Sequence, residues 1–369
     1  MKILYTNFHG RNGGGHVTYL MHLLSGLKSE HQLTLATPGS SRLFRYASAL
    51  KDIRVIDMSF TTRPSSWFAA RASLRKLIMT ERFDIIHVNG SADHKQVMLA
   101  LLGMRNRPKV IFTKHNHHEM NSFGHQLRAM LTTDQVIAVS DYVRGELQRT
   151  PYRRTPSVTI RHGIDLSYFS PVSDQEKQAL RHKLLDHAIA DKIIIGSSAG
   201  TDYEKGWLDL VEGLSLLEPQ QRARFHLLVA GDVPNAAKIA QVQSLGMTEQ
   251  VSFPGLLDDV RPYLACCDLG YVLSYYEALS YACRELMGLG LPVLITNVGG
   301  LPENVAHGEQ GWVVPMKNPQ AIAEVLKQIL DDPGCLQRLG AQARLRAEKE
   351  FNMPDFIAST LAVYKQVLQ

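Results

Sequence analysis

Short apolar runs alternate with helix-like stretches along almost the whole chain, and this alternation restricts the fold more than any other feature. Runs of four to six residues stand at Lys2–Thr6, Gln32–Ala36, Ile85–Val88, Val110–Thr113 and Gln135–Val139. A second set stands at Lys192–Gly196, His226–Ala230, Val251–Phe253, Leu269–Leu273, Val293–Thr296 and Trp312–Val314. Strands that read as continuous apolar runs are buried on both faces, so the pattern predicts parallel sheets covered by crossover helices. The second set restarts after Arg161–Pro171 and a charged helical stretch. Two doubly wound α/β domains are therefore expected, over residues 1–168 and 169–352. A last helical segment, 353–369, follows the second sheet and is expected to cross back onto the first domain.

The 369 residues carry a formal charge of +5, unevenly spread. Residues 1–165 hold 23 Lys and Arg against 11 Asp and Glu, whereas 166–369 hold 17 against 24. The first half is thus expected to meet something anionic: an acidic acceptor, a membrane surface or nucleic acid. Nucleic acid is disfavoured, since no recognised binding module accompanies the basic residues. No apolar run approaches the roughly 18–20 residues of a membrane span. MKILYTNFHG reads as a first strand, not a signal peptide. The four cysteines have neither disulfide nor zinc spacing and are read as inert thiols in a reducing cytoplasm.

In doubly wound sheets ligands bind beyond the C-terminal strand ends, and the unusual residues of this chain lie there. Asn12-Gly13-Gly14-Gly15-His16 follows the first strand; its glycines let backbone approach a ligand, although a plain tight turn reads equally well. It is neither a dinucleotide fingerprint nor a Walker loop. Lys114-His115-Asn116-His117-His118 follows Val110–Thr113. Adjacent histidines point apart, so one functional imidazole, His115, is expected in place of a metal cluster. Lys205, in Glu204-Lys205-Gly206-Trp207, would act as a point cation for a diphosphate. Glu277 and Glu285 stand eight apart in YYEALSYACRELMG. Eight residues return a helix nearly to the same face, so both carboxylates are expected on one helical face. The N–H groups of Ala278, Leu279 and Ser280 would lie at its positive end, a plausible place for a phosphate flanked by hydroxyls. Gly299-Gly300-Leu301-Pro302-Glu303 would form a strained turn at the ligand.

Taken in order, the glycine loop, His115, Lys205-Gly206, Glu277-x7-Glu285, Gly290-Leu291-Pro292 and Gly299-Gly300-x-Pro302-Glu303 resemble the retaining glycosyltransferases of the GT4 family, over nearly the whole chain. Arg161-His162-Gly163-Ile164-Asp165 with Phe169-Ser170-Pro171 looks like that family's interdomain segment. The resemblance implies the GT-B fold, with two Rossmann-like domains facing a central cleft. It also implies a nucleotide-sugar donor, UDP-sugar favoured, as substrate. No Asp-x-Asp metal motif precedes a suitable strand end, since Asp258-Asp259 opens a helix-like segment, so no obligatory metal or other cofactor is expected. By the same resemblance Glu285 would bind the donor ribose and Glu277 the transferred sugar near its anomeric centre. Lys205, Gly14, Gly15 and the N–H groups of Leu279 and Ser280 would hold the diphosphate. His115 would hydrogen-bond the sugar, and the base would lie near Phe253-Pro254-Gly255.

Three departures stand out. Gly200 replaces a family arginine five residues before Lys205; Arg284 is a substitute that would face another direction. Ala278 and Ser280 replace family glycines. Segment Ser65–Met79, with Trp67, Phe68, Leu74, Leu77 and Ile78 beside Arg71, Arg75 and Lys76, reads as an interfacial helix or as an ordinary core-facing helix with a wet basic side. A lipopolysaccharide-core acceptor at the inner face of a bacterial membrane is the expectation, with peripheral contact to anionic lipid. The alternatives are a same-fold transferase on a small soluble acceptor, a sugar-nucleotide epimerase, and a non-catalytic nucleotide-binding protein.

Overall fold

A computed structural model describes residues 1–11, 13–60 and 64–369, without the side chains of 64–68. Asn12 of the glycine loop, and the Trp67 and Phe68 side chains of the interfacial-helix reading, lie outside the described residues. The chain divides into two compact units, Met1–Gly163 with Met353–Gln369, and Ile164–Asn352.

The first unit holds a seven-stranded sheet. Its strands are β1 (Lys2–Thr6), β2 (Gln32–Thr37), β3 (Ile53–Asp57), β4 (Ile85–Val88), β5 (Lys109–Lys114), β6 (Gln135–Ala138) and β7 (Ser157–Thr159). They run in the order β3-β2-β1-β4-β5-β6-β7, and every pairing is parallel. The second unit holds six parallel strands: β8 (Ile193–Ser197), β9 (Phe225–Ala230), β10 (Val251–Gly255), β11 (Leu269–Val272), β12 (Val293–Thr296) and β13 (Gly311–Val314). Their order is β10-β9-β8-β11-β12-β13. The predicted parallel, doubly wound architecture is therefore present twice.

Nine of the eleven apolar runs became central strands, covered on both faces, and the other two became the edge strands β10 and β13. Ile3, Leu4, Ile85, Ile86, Ile111, Ile194, Ile195, Leu227 and Leu294 are completely buried. Two strands escaped the sequence reading, β3 and β7. Each is an edge strand with one neighbour, and neither contains a fully buried residue. With no residue fully removed from water, neither strand needs a continuous apolar run. Helix Met353–Leu368 packs against helix Gly15–Leu27, with Ile357 filling the space beside Gly26.

In helix Pro64–Glu81, Leu74 and Ile78 are buried, and Arg75 donates from Nη1 to Ala100 O (2.7 Å) and Leu102 O (2.9 Å). Arg75 thus closes the carbonyl end of helix Ser91–Leu101 and is not a free surface cation; Lys76 remains exposed. No helix among the described residues is long and apolar enough to cross a membrane. All four cysteines are free and buried, and burial pushes the Cys283 thiol up to about 12.

Candidate functional site

In each sheet the strand order reverses beside the central strand, between β1 and β4 in the first unit and between β8 and β11 in the second. At such a switch point the loops diverge and leave a crevice at the carboxyl ends. Lys205, Glu277 and Glu285 lie at the second of these positions and Gly14 and Gly15 at the first, whereas His115 follows β5 and Gly255 ends β10.

In the second unit, Lys205 ends a single 3-10 turn, Tyr203–Lys205, in the connection after β8. Gly206 follows with φ +67°, and a Cβ there would lie 2.0 Å from Leu273 O. Only glycine allows this loop to press on the end of β11. The next helix, Trp207–Ser215, anchors it: Trp207 is completely buried and its indole N–H donates to Thr201 O at 3.0 Å. Glu204 O accepts from the Tyr275 N–H at 2.8 Å, which ties the Lys205 turn to the loop carrying Glu277. As a result Lys205 Nζ stands 3.5 Å from Glu277 Oε2, with both side chains partly exposed. Ser274 Oγ also donates to Glu277 Oε2, at 3.4 Å.

The geometry of the two glutamates corrects one expectation. The helix begins at Tyr281, not near Glu277, so the two carboxylates do not share a helical face. Ser280 caps it, with Oγ accepting from Cys283 N, and holds φ +82°, a conformation L residues rarely adopt. Chain direction changes there, and Glu277 belongs to an irregular loop. That loop is held by Gly299 and Gly300. Gly300 N–H donates to Glu277 O at 3.1 Å, and a Cβ on Gly299 (φ +53°) would sit 1.8 Å from the same oxygen. The paired glycines thus grip the backbone of Glu277. Ala278 and Leu279 are buried, and Asn304 Nδ2 donates to Leu279 O at 2.6 Å.

Glu285 lies on the second turn of helix Tyr281–Gly288 and accepts from Ser198 Oγ, just past β8, at 3.4 Å. Burial pushes its carboxyl up to about 7, only partly offset by that serine. Arg284 is completely buried: its Nε donates to Asn304 Oδ1 at 2.9 Å and its guanidinium stacks 4.0 Å from the Phe351 ring centroid. It is a structural cation and does not replace the arginine absent at Gly200. Gly200 has φ +99° and open space where a Cβ would stand. A cation that sequence spacing did not single out is nearby: Lys238 Nζ donates to Thr201 O at 2.6 Å. Gly255, at the end of edge strand β10, has φ +83° and accepts from Gly231 N–H at 3.0 Å.

In the first unit, Gly14 (φ +48°) is the N-cap of helix Gly15–Leu27, and no side chain caps that end. Gly14 and Gly15 are exposed. His115 follows β5 and its Nε2 meets Asn89 Oδ1 at 3.0 Å. Asn89 Nδ2 faces two carbonyls, Thr6 O and His87 O, so its Oδ1 must accept and His115 must carry its proton on Nε2. Nδ1 is left as an acceptor. Burial, and then the nearby histidines, hold His115 well below its ordinary range, so it stays neutral near pH 7. Its ring lies 4.2 Å from that of His16, tilted by 42°, and His16 itself lies 4.5 Å from His9. Asn89 is in turn fixed by Asp93, whose Oδ2 accepts from Asn89 N at 2.9 Å and from Thr6 Oγ1 at 2.7 Å. Below them a buried chain runs from Thr113 through His87 to Tyr364 of the last helix. The other histidines of the cluster do not converge on His115: His118 is exposed, and its carbonyl accepts from Lys114 Nζ. Among the described residues no three His, Cys, Asp or Glu are grouped to hold a metal.

Asn89, Asp93, Ser198 and Lys238 were missed by sequence reasoning. Only Asn89 left a signal, as a polar residue ending an apolar strand before Gly90-Ser91.

Comparison with known proteins gives the family and the fold. Residues 13–168 match the profile of Glycosyltransferase Family 4, and residues 185–346 match Glycosyl transferases group 1. The chain is 26% identical over 327 residues to the N-acetyl-alpha-D-glucosaminyl L-malate synthase of Bacillus anthracis, covering 86% of this chain and 84% of that protein. The crystal structure of Anabaena Alr3699/HepE in complex with UDP and glucose superposes with a TM-score of 0.83 at 19% identity, over 99% of this chain and all of that one. WaaG, a glycosyltransferase involved in lipopolysaccharide biosynthesis, superposes with a TM-score of 0.75 at 17% identity, over 97% and 99%.

Proposed function

For this chain, which is a glycosyltransferase of the GT4 type with the GT-B fold, we propose transfer of a sugar, with retained configuration, from a UDP-sugar to an anionic glycan acceptor. One observation carries the donor assignment. Lys205, Glu277 and Glu285 come from separate loops and a helix, yet assemble at the β8/β11 switch point, with Lys205 and Glu277 3.5 Å apart and Glu285 against Ser198. In this reading Glu285 accepts from the ribose hydroxyls, and Lys205 meets the diphosphate with the N–H groups of Leu279 and Ser280. Glu277 faces the transferred sugar, and the base lies by Gly255. His115 accepts a sugar hydroxyl at Nδ1, and Gly14 and Gly15 present backbone to the diphosphate.

The chemistry follows from charge. As the glycosidic bond breaks, negative charge gathers on the departing diphosphate. A positioned cation and amide donors stabilise that state more than the intact donor. Glu277, already paired with Lys205, gives the ammonium a partner until the diphosphate arrives. No step requires a metal in this scheme.

UDP is favoured because a fold relative was crystallised with UDP and glucose. The anionic acceptor is favoured by the basic first half of the chain. A phosphate-rich lipopolysaccharide core, met at the cytoplasmic face of the inner membrane, suits both that charge and the likeness to WaaG. The likeness to the N-acetyl-alpha-D-glucosaminyl L-malate synthase favours a second reading, a small soluble acceptor. A thermal-shift panel of UDP-, GDP- and ADP-sugars tests the donor, and a larger shift with GDP or ADP would overturn the UDP assignment. Liposome flotation tests the acceptor: equal recovery with neutral and anionic lipid would remove the membrane part.

A further inference from the structure

We propose that Arg11, Arg42 and Arg45 form a binding site for a phosphate monoester in the first unit. The three side chains, with Gly39, Ser40 and Ser41, line an open cavity of about 450 Å³. Arg11 belongs to the connection after β1, and Arg42 and Arg45 to helix Arg42–Ser48 after β2. The cavity therefore sits at the carboxyl ends of two neighbouring parallel strands, the edge at which doubly wound sheets take ligands.

Exposed arginines are usually solvated singly, and three features separate these from that case. First, none has a carboxylate within ion-pair distance among the described residues. The carboxylate of Asp57, which could have neutralised them, is turned to the loop backbone and accepts from Gly39 N–H at 2.7 Å. Second, two of the guanidiniums are held by one aromatic ring. Arg42 and Arg45 lie 5.0 and 5.2 Å from the Tyr46 centroid, and Arg42 Nε donates to Tyr46 Oη at 2.9 Å. Stacking orients a planar fork and lowers the entropy lost when it closes on an anion. Third, the scaffold is tied together. Arg42 N–H donates to Arg11 O at 3.1 Å, Ser40 Oγ to Gly10 O at 2.9 Å, and Ser41 Oγ accepts from Phe44 N at 3.0 Å.

Three cations around one cavity match a dianion with three outward oxygens better than a single carboxylate. Arginine forks pair with phosphate oxygens two at a time. The phosphate could be carried by a soluble phosphorylated sugar or by a lipid-linked glycan, and the recognition chemistry is the same. The identification of this phosphate with the acceptor rests on the anionic-acceptor reading above; the existence of the site does not.

The test uses the full-length protein, with Arg42→Ala/Arg45→Ala and Arg42→Lys as variants. Binding of glycerol 3-phosphate is measured by calorimetry. Binding to phosphatidylcholine vesicles, with and without phosphatidic acid, is measured by co-sedimentation. Each charge-assisted pair lost should weaken phosphate binding about tenfold or more. Arg42→Lys should fall between the wild type and the double variant, because it keeps charge and loses the fork. Unchanged circular-dichroism melting shows that the variants are folded. Loss confined to glycerol 3-phosphate assigns the site to a soluble phosphate, and loss confined to acidic vesicles assigns it to a lipid-borne one. Equal binding by wild type and double variant in both arms overturns the proposal, as does a wild type that binds neither probe. Because no arm reads catalysis, failure of the transferase reading is seen separately, as absence of any UDP-sugar thermal shift.

Discussion

Replacing Glu285 by glutamine should stabilise the protein near neutral pH while weakening nucleotide binding. The carboxyl titrates near 7 because burial disfavours its charged form, whereas in an unfolded chain it would titrate near 4.5. That gap corresponds to at most about 3 kcal/mol of charging cost in the folded state. The folded protein holds this proton more tightly than the unfolded chain. The cost is therefore absent below about pH 4.5, grows as the pH rises to about 7, and stays constant above it. Partial solvent contact at Glu285 screens part of the cost, so about 1–3 kcal/mol is the expected range. Glutamine carries no charge to bury, so the stability of Glu285→Gln relative to wild type should climb across the same interval. Urea unfolding followed by tryptophan fluorescence reads this, since Trp207 and Trp312 are both buried in the second unit. UDP affinity should fall about tenfold or more, the loss expected when a charged acceptor becomes neutral. A stability difference that stays flat from about pH 5 to about pH 8 would refute burial as the origin of the shift. Undiminished UDP affinity would refute the ribose assignment.

Lys205→Ala should lower kcat by about a hundredfold or more, the effect of removing a preorganised charge at a leaving group; wild-type turnover would remove the diphosphate assignment. Gly299→Ala places a Cβ 1.8 Å from Glu277 O and should destabilise by about 1–3 kcal/mol, displacing Glu277 and lowering kcat with it; calorimetric melting and steady-state kinetics check both. Ser280→Gly relieves the φ of +82° and forfeits one cap hydrogen bond, so a net gain of about 0.5–1 kcal/mol is expected, read as a rise in Tm. Asn89→Leu frees the His115 ring to rotate and change tautomer; donor KM should rise, and the imidazole nitrogen NMR shifts should lose their single Nε2–H pattern.

The fold was readable because buried parallel strands need unbroken apolar runs, and eleven of them announce themselves in the sequence. The missed strands, β3 and β7, hold no buried residue and so leave mixed sequences, whereas the edge strands β10 and β13, which bury apolar residues, were readable. The candidate residues Lys205, His115 and Glu277 could be named because they lie in loops that follow strands, and Glu285 from its spacing to Glu277. Their mutual arrangement could not. A helical face for both glutamates follows from periodicity only if the helix has begun, and Ser280 shows that it has not. Arg284 beside Glu285 is expected to face another direction, but only packing shows which, onto Phe351 and Asn304.

What the sequence determined by itself is local: which segments bury both faces, where the chain must turn, and which groups capable of acid, base or ion-pair chemistry end the strands. Tertiary structure alone decided which of those groups meet. Ser198 reaches Glu285 across 87 positions of sequence, and Asn89 selects the tautomer of His115 across 26. Such pairings depend on strand order, and strand order is set by how whole helices cover whole sheets. No window of sequence short enough to show a period contains that information.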